Sequence, residues 1–297
     1  MAKILIPVLI LFLLSYEAKG LFKDFNWDLL NLYLDRLSFQ KVIMILILGL
    51  ISLFPMFFYD VILLRIFHIH IPKRKLVFYS LSANAFSNLV GFGGVAGATL
   101  RSYYYRRYLP DSVPYIRIIA KLSLFYLTGL SLLAWPVIFS DLHVYSDIKL
   151  IKMAVWVIVA YTPLLITVFF FRKTFWNLQY LNRGYIAELM IISIFEWFFV
   201  IVCIWGITNF LGVSAPLHIL FPIVIISACA GIVSMIPGGI GSFDLVFLIG
   251  MESHGIPTEL SLLIIMFYRL SYYIFPVILG TPFVLHQLWV KRKPQKK

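Results

Sequence analysis

Long apolar runs are the feature that most restricts what this chain can fold into. Residues 42–64, 116–139 and 150–171 each exceed the about 20 apolar residues with which a helix crosses about 30 Å of hydrocarbon. Similar runs occupy residues 185–211 and 260–288. These segments are longer than the strands of membrane barrels and do not alternate with period two. The sequence therefore predicts an all-α protein that crosses a membrane several times.

The balance of residue types argues against a water-soluble fold. Hydrophobic residues make up 62% of the chain and charged residues 13%, whereas a soluble domain usually carries about 25% charged residues. The net charge is +12, but Lys and Arg cluster between the apolar runs rather than in one basic domain. Such clusters mark cytoplasmic loops and attract anionic lipid headgroups. We therefore expect a membrane protein with no nucleic-acid partner and with both termini in the cytoplasm.

The arrangement of basic loops constrains the topology. We count about eight hydrophobic segments, the first at residues 4–14, which we expect to be retained because residues 16–18 are a poor cleavage site. Most Lys and Arg residues fall in cytoplasmic loops only if residues 80–100 and 218–251 each enter and leave the membrane on the same side. Both contain the glycines that a broken helix requires. We therefore predict two re-entrant, broken-helix segments.

The two re-entrant segments have opposite predicted orientations and similar flanking helices. We therefore predict one membrane domain over residues 1–297, built as an inverted repeat of residues 42–139 and 185–288. Secondary transporters with this architecture bind substrate near the midplane, where the broken helices meet. The alternative is that each glycine-rich segment only packs tightly against neighbouring helices.

The first break is predicted from a cluster of amide and glycine residues. Its candidate residues are Asn84, Asn88, Gly91, Gly93, Gly94 and Gly97. A helix that ends at membrane depth frees backbone N–H groups, which favour an anion such as a phosphodiester. A nucleotide-binding loop is excluded because no strand precedes the glycines.

The second break is predicted from a proline followed by glycines. Its residues are Pro237, Gly238, Gly239 and Gly241, a strong signal that a helix ends. Ser242 or Asp244 is expected to cap a new half-helix. For Asp244, a contact with a cation is an equally good interpretation, and both roles can hold together.

Charged residues within apolar runs are costly and usually face a cavity or a partner. The candidates are Asp60, Glu188, Glu196, Lys121 and Arg269. Glu196 lies deep in its run and favours a functional role, whereas Asp60 and Glu188 lie nearer helix ends. Arg269 requires a carboxylate or a phosphate, and an ion pair with Asp244 or Glu196 remains open beside ligand binding.

The sequence offers no assembled catalytic site. His68 and His70 have no acidic or cysteine partner nearby, so we expect no metal site. The zinc-protease, nucleophile-elbow and phosphate-loop motifs are absent from the sequence. We therefore expect no cofactor and, on balance, no enzymatic activity.

Residues 84–101, 235–247 and 268–273 together resemble the flippase half of the bacterial multiple peptide resistance factor, the lysylphosphatidylglycerol synthase transmembrane family. The resemblance extends over nearly the whole chain. It implies a phospholipid substrate, such as lysyl-phosphatidylglycerol, moved to the outer leaflet of the bacterial cytoplasmic membrane. This movement lowers the negative surface charge and gives resistance to cationic antimicrobial peptides.

The resemblance also implies roles for individual residues. Asp60, Glu196 and Asp244 would receive the lysyl amines, and Arg101 with Arg269 would hold the phosphate. The family's full synthase continues into an aminoacyl-transferase domain, which this sequence does not contain, so we expect no lysine transfer by this chain alone. The alternatives are a membrane component that acts with a separate lipid aminoacyl-transferase and a non-transporting scaffold. The expected partners are the phospholipid and the membrane, and a homo-oligomer or a separate lipid aminoacyl-transferase stays open.

Overall fold

The computed structural model describes residues 26–35, 37–90, 95–109, 115–139, 148–171 and 183–292. Within this part, five helices are long and apolar enough to cross a membrane. They are Phe39–Ile66, Tyr115–Ile138, Lys149–Phe169, Arg183–Phe210 and Thr258–Trp289. They confirm the five long apolar runs as helices, and the chain is an all-helical, multi-pass membrane protein. The apolar run at 4–14 lies outside the described residues, so the count of eight segments stays a prediction.

The described N-terminal half consists of a short helix, a broken span and a helical hairpin. Its helices are α1 (Trp27–Asp35), α2 (Phe39–Ser52), α3 (Phe54–Ile66), α4 (Lys73–Val90) and α5 (Val95–Tyr105), followed by a 3₁₀ turn (Arg106–Tyr108). Pro55 lies in the first turn of α3, where its missing N–H leaves no bond unmade. Helices α4 and α5 pack against each other as a hairpin. Gly91, Gly93 and Gly94 lie between them, outside the described residues.

The second spanning helix is irregular at its centre. It comprises α6 (Tyr115–Ser123), a 3₁₀ segment (Leu124–Leu127), α7 (Thr128–Leu133) and α8 (Trp135–Ile138), and α9 (Lys149–Phe171) follows. The hydroxyl of Ser193 accepts a hydrogen bond from the Gly129 amide at 2.7 Å and donates to the Tyr126 carbonyl at 2.8 Å. A side chain inserted into the helical hydrogen-bond ladder in this way accounts for the irregular turn.

The C-terminal half contains a second hairpin and a second irregular helix. Its elements are α10 (Arg183–Phe210), α11 (Leu217–Val233), a 3₁₀ turn (Pro237–Gly239), α12 (Ser242–Glu252), α13 (Thr258–Tyr268), a π-helical segment (Arg269–Ile274) and α14 (Phe275–Arg292). Helices α11 and α12 pack together as the second hairpin, and the turn between them contacts α4 of the first. The turn of the second hairpin therefore lies against a helix of the first.

Two glycines allow the halves to approach closely. A Cβ on Gly49 of α2 would overlap the backbone of Ser271 in the π-helical segment, and one on Gly129 of α7 would overlap the backbone of Ser193 in α10. In each case the first span of one half touches the last span of the other. An inverted repeat would relate these two contacts to each other, and the repeat itself stays a prediction.

Candidate functional site

The first hairpin is joined to α3 by a buried ion pair. The Arg101 Nε donates to Asp60 Oδ1 at 2.9 Å, and Arg101 Nη2 donates to Asp60 Oδ2 at 3.0 Å. The side chain of Asp60 is 0% exposed and that of Arg101 is 2% exposed. A bidentate contact of this kind is the favoured geometry between a guanidinium and a carboxylate. Both predicted site residues are therefore brought together, as partners of each other.

Neutral side chains complete the hydrogen bonding of this pair. The hydroxyl of Tyr105 donates to Asp60 Oδ1 at 2.9 Å, and that of Ser80 donates to Asp60 Oδ2 at 2.8 Å. Asn84 donates to Ser80 at 3.0 Å and accepts a hydrogen bond from Arg101. Each carboxylate oxygen thus receives two donors, as a buried charge requires. Asn84, predicted as part of the broken backbone, instead acts through its side chain.

Glu196 lies near this pair but is bound differently. It is 7% exposed, and Glu196 Oε2 accepts a hydrogen bond from the Tyr59 hydroxyl at 2.6 Å. Tyr59 stacks on Tyr126 with 4.0 Å between ring centroids, and the Arg101 guanidinium lies 5.9 Å from the Tyr126 ring centroid. Among the described residues, Glu196 forms no ion pair with a basic side chain. It is therefore a buried acid that no cation of this part of the chain neutralises directly.

The second break is closed by a different ion pair. Arg269 donates to Asp244 Oδ1 from Nη2 at 2.7 Å and from Nε at 3.2 Å, and to the Gly238 carbonyl at 2.5 Å. Asp244 Oδ2 also accepts the Gly241 amide at 2.9 Å, which caps α12. Asp244 therefore caps α12 as predicted, and of the two carboxylates considered for Arg269, Asp244 is the one that pairs with it. Contact of Asp244 with a ligand cation stays a prediction.

This second pair is less enclosed than the first. The Arg269 and Asp244 side chains are 16% and 20% exposed. Arg269 also lies over the rings of Tyr273 and Phe243, at 4.9 and 5.5 Å from their centroids. Aromatic faces attract a guanidinium electrostatically, so these rings hold Arg269 against the turn.

The glycines of the breaks have distinct structural roles. Gly238, Gly239 and Gly241 have positive φ angles of 63°, 64° and 86°, a region that other residues rarely adopt. A Cβ on Gly239 would also lie 3.1 Å from Gly231 Cα. In the first hairpin, a Cβ on Gly97 would lie 2.8 Å from Ser87 Cβ, so Gly97 permits the close approach of α5 to α4.

Two predicted site residues, Glu188 and Asn88, lie apart from the Asp60–Arg101 and Asp244–Arg269 pairs. Glu188 pairs with Arg65 at 3.1 Å, but the two side chains are 45% and 56% exposed, so this contact lies at the surface. Asn88 Nδ2 lies 3.6 Å from Met56 Sδ, and the Tyr272 hydroxyl lies 4.0 Å from the same sulfur. Asn88 therefore contacts α3 and approaches the π-helical segment rather than a charged group.

Several tyrosine and serine side chains of the site were not predicted from the sequence. Tyr105 follows Arg101 by one helical turn, and Ser80 precedes Asn84 by one turn, so the i, i+4 spacing could have indicated their shared faces. No comparable local signal marks Tyr59, Tyr126 or Ser193. Their contacts join helices that are distant in the sequence.

Comparison with known proteins places the chain in a family. Residues 1–280 match the family described as lysylphosphatidylglycerol synthase TM region. A phosphatidylglycerol lysyltransferase of Staphylococcus aureus (strain MRSA252) is 33% identical over 256 residues, which are 83% of this chain and 29% of that protein. The phosphatidylglycerol lysyltransferase of Staphylococcus haemolyticus (strain JCSC1435) is 33% identical over 225 residues, 75% of this chain and 26% of that protein.

The chain thus spans less than a third of the length of these relatives. The match over residues 1–280 includes both hairpins and both ion pairs described above. This chain belongs to the lysylphosphatidylglycerol synthase transmembrane family.

Proposed function

We propose that the chain is a phospholipid translocase, a flippase that moves an aminoacylated phosphatidylglycerol such as lysyl-phosphatidylglycerol to the outer leaflet of the bacterial cytoplasmic membrane. Family membership supports a role in lysyl-phosphatidylglycerol metabolism or resistance to cationic peptides. The observation that carries the transport proposal is the contact between the two hairpins, each of which is held to a neighbouring element by an Asp–Arg pair, with the buried Glu196 near the first pair.

The chemistry of the headgroup matches these charges. Lysyl-phosphatidylglycerol carries one phosphate and two amines, so it can exchange partners with an Asp–Arg pair without leaving either charge uncompensated. The Asp244–Arg269 pair is the accessible one, since its side chains are 16–20% exposed. In this proposal, Arg269 takes the phosphate, and Asp244 or Glu196 takes an amine. Asp60 and Arg101 hold the first hairpin in place beside them.

The proposed orientation has both termini in the cytoplasm, with residues 42–139 and 185–288 as inverted repeats. The reciprocal contacts of Gly49 with Ser271 and of Gly129 with Ser193 support this arrangement. Alternating access would then move one half against the other around the meeting point of the hairpins.

A second candidate function follows from the names of the relatives. Both are phosphatidylglycerol lysyltransferases, which favours a membrane component of lysyl-phosphatidylglycerol synthesis acting with a separate catalytic domain. That role needs lipid binding but no leaflet exchange. Measuring exchange therefore separates the two candidates.

The test is leaflet exchange of labelled lysyl-phosphatidylglycerol and plain phosphatidylglycerol in liposomes that contain the purified chain. We expect faster exchange of the lysyl lipid than in empty liposomes. Asp244→Ala should remove this exchange, whereas Glu188→Gln, which alters an exposed ion pair, should retain it. Unfolding curves of all three proteins check folding. Exchange of neither lipid by the folded parent chain would refute the translocase.

A further inference from the structure

A cluster of exposed basic residues lies at the open end of the first hairpin, separate from the ion pairs described above. The contacts of Tyr79 with Tyr104 and of Gly97 with Ser87 set an antiparallel register between α4 and α5. The first turn of α4 therefore lies beside the 3₁₀ turn that follows α5. Exposed basic residues gather there: Lys73, Arg74, Lys75, Arg106 and Arg107. Among the described residues, no carboxylate pairs with any of these cations.

Beneath these cations lies a buried hydroxyl with no partner. Tyr79 is 0% exposed, and no described atom forms a hydrogen bond with its hydroxyl oxygen. The Arg107 guanidinium lies 5.5 Å from the Tyr79 ring centroid and 5.0 Å from that of Tyr108. An unsatisfied buried hydroxyl is costly. Its persistence beside an arginine indicates that a polar ligand completes this site.

An apolar groove adjoins the same region. Phe283 of α14 packs against Tyr79, with ring centroids 5.6 Å apart, and the Tyr103 hydroxyl donates to the Gln287 carbonyl at 3.3 Å. The next residues of α14 line an open groove of about 490 Å³, formed by Leu285, His286, Leu288 and Trp289. In a membrane, such a groove accepts hydrocarbon. Tyr103, which is bonded to Gln287, precedes Arg106 by about one helical turn, so the groove and the cations lie at a similar level along α5 and α14.

We propose that this end of the first hairpin is a binding site for an anionic phospholipid, distinct from the proposed transport site. An acyl chain occupies the groove on α14, and the phosphate accepts hydrogen bonds from Arg107 and, when the Arg107 side chain moves off the Tyr79 ring, from the Tyr79 hydroxyl. A diffuse positive surface would attract the same lipids. Attraction by a diffuse positive surface would not need a buried hydroxyl or a groove. Single substitutions therefore distinguish a defined binding site from diffuse attraction. This inference does not depend on transport, because binding alone is measured.

The test is the thermal unfolding of the purified chain in mixed micelles that contain either dioleoyl-phosphatidylglycerol or dioleoyl-phosphatidylcholine. We expect the anionic lipid to raise the unfolding temperature more. Arg107→Gln should weaken the apparent affinity for it about tenfold, since a charge-assisted hydrogen bond is lost. Lys152→Gln, at another exposed basic residue, should leave the affinity unchanged. Equal losses in both variants would mean diffuse surface attraction and overturn the proposal.

Tyr79→Phe provides the sharper variant because it removes only the unpartnered oxygen. Without lipid, the unfolding temperature should stay the same or rise, since no hydrogen bond is broken. With phosphatidylglycerol, the lipid-dependent increase should shrink. An unchanged increase in this variant would exclude the hydroxyl as a ligand and contradict the site.

A soluble headgroup analogue tests whether the acyl chains contribute to binding. Glycerophosphoglycerol carries the same phosphodiester without acyl chains. It should give little stabilisation at concentrations where phosphatidylglycerol saturates, because the groove stays empty. Stabilisation equal to that by the lipid would mean that the site binds a free phosphodiester and that the groove has no part in it.

Discussion

The Asp60–Arg101 and Asp244–Arg269 pairs have the same chemistry but different surroundings. The first joins residues 41 apart in the sequence, is at most 2% exposed, and receives hydrogen bonds from Tyr105 and Ser80. The second joins a helix cap to the π-helical segment and is 16–20% exposed. A fully enclosed pair with every acceptor filled has no free capacity for a ligand. A partly exposed pair can exchange its partner, so the comparison assigns anchoring to the first and access to the second.

The largest expected effect is on stability at the enclosed pair. Arg101→Met leaves the Asp60 carboxylate buried without a cation, and we expect a loss of about 3–5 kcal/mol in the free energy of unfolding. Arg269→Met should cost less because Asp244 keeps the Gly241 amide and some exposure. Chemical unfolding in detergent measures both changes.

A double variant sharpens this prediction. Replacing both charges, as Asp60→Leu with Arg101→Met, removes the uncompensated carboxylate and should restore much of the stability lost by Arg101→Met alone. If the double variant were no more stable than the single one, then lost packing, rather than an unpaired charge, would explain the effect.

The next effect concerns the second turn, where backbone conformation and close contact coincide. Gly239→Leu combines a positive φ of 64° with a Cβ 3.1 Å from Gly231 Cα. We expect strain of about 1–2 kcal/mol plus overpacking of about 1–3 kcal/mol, with loss of lipid exchange even where the protein inserts. The measurements are unfolding and leaflet exchange.

Gly212→Leu is the matched control for that variant. Gly212 has a φ of 77°, but no atom of the described chain lies within 4 Å of a Cβ built there. This variant should show the backbone strain without the overpacking and should keep lipid exchange. Equal behaviour of the two variants would contradict a special role for the Gly239–Gly231 contact.

The smallest effect is expected at the exposed pair. Glu188→Gln removes a contact between side chains that are 45% and 56% exposed, and such pairs contribute about 1 kcal/mol or less. Raising the salt concentration should reduce this small difference further. An effect comparable to that of Arg101→Met would mean that exposure does not set the importance of the ion pairs.

Much of the architecture could be predicted from local sequence. The five spans agree with the apolar runs to within a few residues because bilayer thickness and side-chain hydrophobicity set the length of each helix. The second break follows from Pro237 and the glycines after it, and Asp244 is one of the two residues, with Ser242, whose position predicts a cap. The first predicted glycine cluster, at 91–94, lies outside the described residues.

The candidate site was predicted in its residues but not in its pairing. Asp60 and Arg269 are predicted because charge within an apolar run is costly. Asp244 is predicted because it follows the second break, and Arg101 is implied by the family resemblance alone. Composition and spacing do not show that Asp60 and Asp244 are each paired with an arginine. They also do not show that Glu188 lies at the surface or that Glu196 accepts a hydrogen bond from a tyrosine.

Local sequence was enough to predict the class of this protein, the positions of the five described spans and the turn of the second hairpin, since these depend on the hydrophobicity and backbone freedom of neighbouring residues. Which charges meet, and how deeply each is enclosed, became known from the packing of the helices. Those outcomes depend on how helices distant in the sequence cross. One example is the close contact of Gly129 with Ser193, whose hydroxyl donates to the Tyr126 carbonyl. This contact fixes the turn from which Tyr126 stacks on Tyr59. Such long-range contacts leave no periodic signal in the chain.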